Sequence, residues 1–240
     1  MRKRKLFNII KNKQEYWLVD QIKHDNQQAS AYMEDFKKLL HEWEKEKAGF
    51  ISVLMDPALE ENMTNLGFSK ISTIAEYTRG LENAEFHDEG LLAHALAEGN
   101  WSDYEFSRLY DQCRSGSANK NKEQTMDQVM NTLSNELGTN WRSNCFIFTN
   151  NQSVIGIAIP HIEMGTKDEG RLFYFGVVPE FRSKGFGKRM HRKTLELLKE
   201  MQAAYYVGST DTANTAMIEI FKQNGCELRD HKGIYRKETI

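Results

Sequence analysis

Val177-Val178-Pro179-Glu180-Phe181-Arg182-Ser183-Lys184-Gly185-Phe186-Gly187-Lys188 is the stretch whose reading decides the fold. The apolar run Leu172–Val178 before it has the composition of a buried strand, and Pro179 ends that strand because proline cannot donate to a ladder. Beyond residue 187, Met190, Thr194, Leu197, Leu198 and Met201 recur at helical spacing. A strand, a glycine-containing turn and a helix therefore follow one another. The N–H groups of such a turn and of the first helical turn have no acceptor within the chain. The helix N-terminus also carries partial positive charge. Together they suit an anion such as a pyrophosphate. Gly185 and Gly187 allow phosphates close to the backbone, and Arg182, Lys184 and Lys188 add local charge.

Two common phosphate motifs do not fit. A Walker loop requires Gly-x-x-x-x-Gly-Lys-Ser/Thr, and the spacing here differs. A dinucleotide fingerprint requires a third glycine where Met190 stands.

The flanking sequence supplies the rest of an α/β domain. Residues 103–113 and 125–137 have helical periodicity, the second through Met126, Val129, Met130, Leu133 and Leu137. Residues 145–148 and 154–159 flank Asn150-Asn151-Gln152 and predict a hairpin. After the long helix come a strand at 204–208, a helix from Ala213 to Phe221 ending at Asn224-Gly225, and a strand around Ile234-Tyr235. The polar loop Ser115–Asn121 separates the first two helices.

Val-x-Pro, then Arg-x-x-Gly-x-Gly, then an amphipathic helix resembles the acetyl-CoA pyrophosphate loop of the GNAT family. A second element agrees: Asn214 opens a helix, the aromatic Phe221 follows seven residues later, and Gly225 comes next. The resemblance covers about residues 101–240 and implies the GNAT fold, a mixed central sheet flanked by helices. It implies acetyl-CoA as co-substrate, with Arg182, Ser183, Lys184, Gly185, Phe186, Gly187 and Lys188 at the pyrophosphate. The pantetheine arm would pair with backbone groups of Phe175, Val177 and Val178. Asn214 would stand near the pantetheine or thioester, although capping its helix is a rival duty for it. The implied reaction is transfer of acetyl to the primary amine of a small or peptidic acceptor. The family often protonates the departing thiolate with a tyrosine, at the position held here by Phe221, which has no proton to give. Tyr206 is the substitute candidate. Glu163 is the candidate base, with Glu169 second, and a solvated surface carboxylate is the rival reading of each. The loop Ser115–Asn121 would border the acceptor pocket. A non-catalytic acyl-CoA sensor or an interaction module are other uses of such a scaffold.

Composition narrows the rest. The net charge of −2 supplies no global field for nucleic acid or an anionic membrane. Cys113, Cys145 and Cys226 are widely spaced, which suits buried thiols rather than a disulfide frame or zinc site. His161 has no partner at ligand spacing, so no metal is expected. The basic start, followed by Leu6–Ile10, is too short for a signal segment and suits an arm or an edge strand. A cytoplasmic protein is expected, and a homodimer is compatible with the sequence.

The first half predicts a helix at 32–43 ended by Gly49, a strand at 50–55, a helix capped by Asp56-Pro57 and closed by Gly67-Phe68, and a strand at 69–79. This order repeats that of residues 188–238. Residues 1–85 are therefore expected to be a degenerate, partial GNAT-like α/β region that binds no CoA, because the segment before its helix has no glycine. Residues 86–100 are expected to link it to a GNAT domain at 101–240, with a short helix at 91–96.

Overall fold

The computed structural model describes residues 5–12, 15–24, 28–86, 90–116 and 125–239. Two compact units make up the chain: residues 1–75 with 230–240, and residues 76–229.

The first unit opens with an antiparallel hairpin of β1 (Phe7–Asn12) and β2 (Tyr16–Gln21). The apolar segment after the basic start is thus an edge strand. Helix α1 (Ala29–Glu46) buries Tyr32, Met33, Phe36, Leu40 and Trp43, the stripe its periodicity marks. It stops earlier than Gly49: Lys47 takes the left-handed conformation, φ 52°. Strand β3 (Phe50–Met55) runs parallel to β2 and is paired with it from Tyr16↔Phe50 to Asp20↔Leu54. Asp56 caps the next turn by accepting from Ala58 N–H at 3.0 Å, and α2 (Glu60–Asn65) follows. Strand β4 (Ser69–Gly80) then carries the chain into the second unit.

The second unit contains β5 (Leu92–Ala95), α3 (Asp103–Arg114), α4 (Met126–Leu137), β6 (Phe146–Asn150), β7 (Ser153–Ile162), β8 (Glu169–Val177), α5 (Phe186–Glu200), β9 (Tyr205–Asp211) and α6 (Thr215–Gln223). Its strands lie in the order β4-β9-β8-β7-β6-β5. The helix expected at 91–96 is instead β5, paired antiparallel with β6 from Leu92↔Thr149 to Ala95↔Phe146. A four-residue apolar segment has no strong intrinsic preference, and the open edge of β6 decides its state. Capping boxes Ser102/Glu105 and Thr125/Gln128 start α3 and α4. Asn151 and Gln152, φ 46° and 65°, form the tight turn of the β6–β7 hairpin.

The α3–α4 pair packs Phe106, Tyr110 and Leu133 on Ile147, Ile157 and Ile159. Helix α5 packs Met190 and Leu197 on Phe148, Ile155 and Ala158. The result is a mixed sheet flanked by helices. The last strand, β10 (Glu227–Glu238), leaves this unit after Arg229 and completes the first unit. There it pairs antiparallel with β3 from Gly233↔Met55 to Glu238↔Phe50 and adds Tyr235 to a core of Trp17, Phe36, Ile51 and Met63.

Candidate functional site

Strands β8 and β9 are parallel neighbours with two recorded pairs, Glu169↔Tyr205 and Gly170↔Tyr206. Beyond Gly170 they part, while the other edge of β8 stays paired to β7 as far as Gly156↔Val177. Val178 N–H donates to Ile155 O at 2.9 Å, so position 178 faces β7. The two-residue period of a strand then turns Gly176 toward β7, and the N–H and C=O of Phe175 and the N–H of Val177 toward the open side, the Val177 carbonyl being taken by Arg182. The fork therefore exposes one edge of backbone that an extended ligand can pair with.

Val178 does not share this role. Its N–H is spent on Ile155, and its carbonyl accepts from Phe181 N–H at 3.0 Å, so the expectation for its backbone is corrected. Arg182 also departs from expectation. Its Nε donates to Val177 O at 3.0 Å and its Nη2 to Cys113 O at 2.9 Å, so the guanidinium ties the end of β8 to α3 rather than facing a phosphate. Its fork geometry suits two carbonyls at once.

The turn itself has the form an anion needs. Ser183 (φ 58°) and Gly185 (φ 80°) are left-handed, and Gly185 is the N-cap of α5. The first backbone bond of α5 runs from Arg189 N–H to Gly185 O, so the N–H groups of Phe186, Gly187 and Lys188 precede the ladder. A β-carbon on Gly187 would sit 2.8 Å from Ile220 Cδ1 and 3.7 Å from a Val177 methyl, so a side chain here would displace the end of the Ile220 side chain. Lys184 lies over the Phe181 ring, and Lys188 O accepts from Asn224 Nδ2 at 3.0 Å. Asn214 is the N-cap of α6, its Oδ1 accepting from Met217 N–H at 3.2 Å, and Asp211 Oδ1 accepts from Ala213 N–H at 2.8 Å.

Phe221 is buried among Tyr77, His191 and Tyr206, with ring centroids 5.1, 5.5 and 6.2 Å away. Tyr206 stands on the last rung before the fork and is also buried; burial pushes its phenol well above its ordinary range. Its hydroxyl lies over Gly208, where a β-carbon would collide with it. His191 was not singled out in the sequence. Burial, with Arg79 nearby, pushes it down to about 3, so it is neutral, and Asn224 Nδ2 lies 3.1 Å from its Nδ1. That contact assigns the proton to Nε2, which has no hydrogen-bond partner among the described residues.

At the closed end, Glu169 accepts from Arg171 Nε at 2.6 Å and from the Tyr205 hydroxyl at 2.9 Å, so it clasps β8 to β9. Glu163 stands at the β7–β8 turn, half-exposed, 3.4 Å from His161 Nε2 and 3.5 Å from Arg171 Nε. The bond from His161 holds its carboxyl below the usual carboxylate range, against partial burial and together with the Arg171 charge. Residues 117–121 of the expected acceptor loop lie outside the described residues. Among the described residues, no group of three or more His, Cys, Asp or Glu is placed to hold a metal ion. Nor is any helix among them long and apolar enough to cross a membrane. The three cysteines are free and buried.

Known proteins give the same picture. The GCN5-related N-acetyltransferase of Sphaerobacter thermophilus has a similar structure: TM-score 0.67, 12% identity, 97% of this chain and 76% of that one covered. A tandem GNAT protein from the clavulanic acid biosynthesis pathway aligns at TM-score 0.57 and 13% identity over 98% of this chain and 78% of that one. The GCN5-related N-acetyltransferase of Kribbella flavida aligns at TM-score 0.57 and 9% identity over 92% and 80%. At such identities the likeness shows the fold alone. No curated protein matches the chain. The signature of the acetyltransferase (GNAT) family matches residues 94–226, which span the fork, the glycine turn and α6, and the chain belongs to that family.

Proposed function

We propose that the protein transfers acetyl from acetyl-CoA directly to the primary amine of a small-molecule or peptidic acceptor. The observation that supports this most is the fork between β8 and β9, with the backbone of Phe175 and Val177 turned into it and the α5 N-terminus at its open end. In this reading the pantetheine arm pairs with that edge, and the N–H groups of Gly185, Phe186, Gly187 and Lys188 hold the pyrophosphate. Ser183 and Lys184 complete the turn, Asn214 keeps α6 beside the arm, and Phe221 walls the thioester. Glu163 is the proposed base for the acceptor amine. Tyr206 is the proposed acid in the absence of a hydroxyl at 221. A thiolate whose conjugate acid has a pKa of about 8.5 is a fair leaving group and needs little help. Residues 1–85 are read as a degenerate, partial GNAT-like region with no cofactor of its own.

Calorimetric titration of acetyl-CoA into the wild-type protein and a Gly187→Glu variant tests the cofactor site. Saturable binding in the wild type, lost when bulk and negative charge enter the turn of a folded variant, is expected. Release of CoA that depends on an added primary amine then establishes the transfer. Binding without amine-dependent release would favour an acyl-CoA sensor, the reading that Phe221 supports. Absence of binding to the folded wild type would overturn both.

A further inference from the structure

The open edge of β8 does not offer all of its backbone groups. Phe175 turns both its N–H and its C=O into the fork, and Val177 turns its N–H there, but the Val177 carbonyl is already engaged: Arg182 Nε donates to it at 3.0 Å. The other side of the same guanidinium is anchored. Its Nη2 donates at 2.9 Å to Cys113 O, one of the last four carbonyls of α3, which a helix leaves without donors of its own. Helix α3 in turn lies against the strand, since a β-carbon at Gly176 would sit 2.8 Å from Cys113 Cβ. Two carbonyls from distant segments thus hold one planar fork of donors in place.

A strand edge repeats every two residues, so a ligand that pairs with position 175 meets a similar set of groups at 177. An arm with two amides therefore has two registers along this edge. In the inner one it accepts from Phe175 N–H, donates to Phe175 O and accepts from Val177 N–H. In the outer one, two residues nearer the turn, it accepts from Val177 N–H and has to donate to Val177 O. The two registers differ by about 7 Å in the position of the thioester. Farther out, Pro179 has no N–H to give, so the outer register depends on the Val177 carbonyl.

We propose that Arg182 sets the register of the acetyl-CoA arm: by holding the Val177 carbonyl it closes the outer register and leaves the inner one, which carries the thioester one repeat deeper into the fork. It is a positioning residue, because it acts through Val177 and α3 and not on the reacting atoms. This inference rests on the reading in which the arm pairs with the β8 edge, but not on the transfer that follows.

The test follows hydrogen exchange of single backbone amides on addition of CoA, with steady-state kinetics beside it. In the wild type CoA is expected to slow exchange at both Phe175 and Val177. In Arg182→Gln it is expected to slow exchange at Val177 but no longer at Phe175, because the arm slips outward. Arg182→Lys keeps the charge without the planar fork and is expected to share this pattern. Val178 N–H, bonded to Ile155 O, is the control: its protection without ligand shows that the end of β8 is folded in a variant. The kinetic counterpart is a kcat lowered about tenfold or more at a KM for acetyl-CoA within about threefold of the wild type, since a displaced thioester reacts poorly although the arm is bound. Protection of both amides in a folded Arg182 variant would overturn the proposal. So would lost affinity with kcat retained, which is the pattern of a missing charge near the pyrophosphate. The outcomes also separate the register from the reaction. A wild type that protects both amides, beside a variant that protects only Val177, keeps the register even where no CoA is released to an amine. A wild type that transfers acetyl while CoA leaves Phe175 unprotected keeps the reaction and removes the register.

Discussion

His191 shows at the scale of one residue what burial does to chemistry. Its unfolded value is near 6.5, and in the fold it is pushed down to about 3. Between these values the unfolded chain binds a proton that the folded chain refuses. Stability that is fully present above pH 6.5 therefore falls as pH drops through this window, by about 2 kcal/mol at pH 5. Replacing His191 by Phe keeps an aromatic ring among Phe175, Tyr206 and Phe221 and removes the titrating group. The variant is expected to lose less melting temperature between about pH 7 and about pH 5 than the wild type does. An unchanged acid limb in thermal denaturation would show that another group carries it. Nothing in the sequence around Lys188–Arg192 marks His191, because its burial comes from strands and a helix distant along the chain. Arg182 taught the converse: its motif position was legible, while its task, holding two carbonyls, depended on where α3 ends.

The two units contain a hairpin, a helix and a parallel strand in the same order, and at the scale of elements the strand pairs differ in one respect. β2 and β3 are zipped from Tyr16↔Phe50 to Asp20↔Leu54, whereas β8 and β9 separate after two pairs. A zipped pair has no backbone to offer an extended ligand. The N-cap of α1 is Gln28, with no left-handed glycine, whereas that of α5 is Gly185. One acetyl-CoA per chain is accordingly expected. Calorimetry should give a stoichiometry of one, and Gly187→Glu should remove all of the heat rather than half. A residual second site would contradict the reading of residues 1–85. The turn at 183–187 was legible because its demands are local: a proline to stop the strand, glycine for a positive φ, and a helical stripe behind. β5 was not legible, since four apolar residues acquire their state only from the neighbouring strand.

For the whole molecule, the chain order and the packing order disagree. Residues 76–80 of β4 lie in the second unit, where Thr78 Oγ1 donates to Tyr206 O at 2.8 Å and Leu81 N–H donates to Ala204 O at 2.8 Å. The end of β10 belongs to the first unit. A fragment of residues 101–240 would leave the β9 edge bare and remove Tyr77 from the Phe221 ring. It is expected to melt at lower temperature and bind acetyl-CoA more weakly than a fragment of residues 76–240, and a fragment of residues 1–85 to aggregate through its open β3 edge. Thermal denaturation and sedimentation of the three fragments would check this. Equal stability of the first two would show that β4 is dispensable to the second unit.

By itself the sequence determined the α/β class, the glycine turn before α5 and the helices on either side of it, because periodicity, proline and glycine act within a few residues. It also determined that Phe221 has no proton to donate. Only the tertiary structure decided that β8 and β9 part after Gly170, that Val178 gives its N–H to β7, and that Glu76 meets Arg171 and Ser209. Each of these depends on which strand lies beside which. That is settled by the burial of whole faces and the completion of hydrogen-bond ladders, terms that sum over residues far apart in the chain.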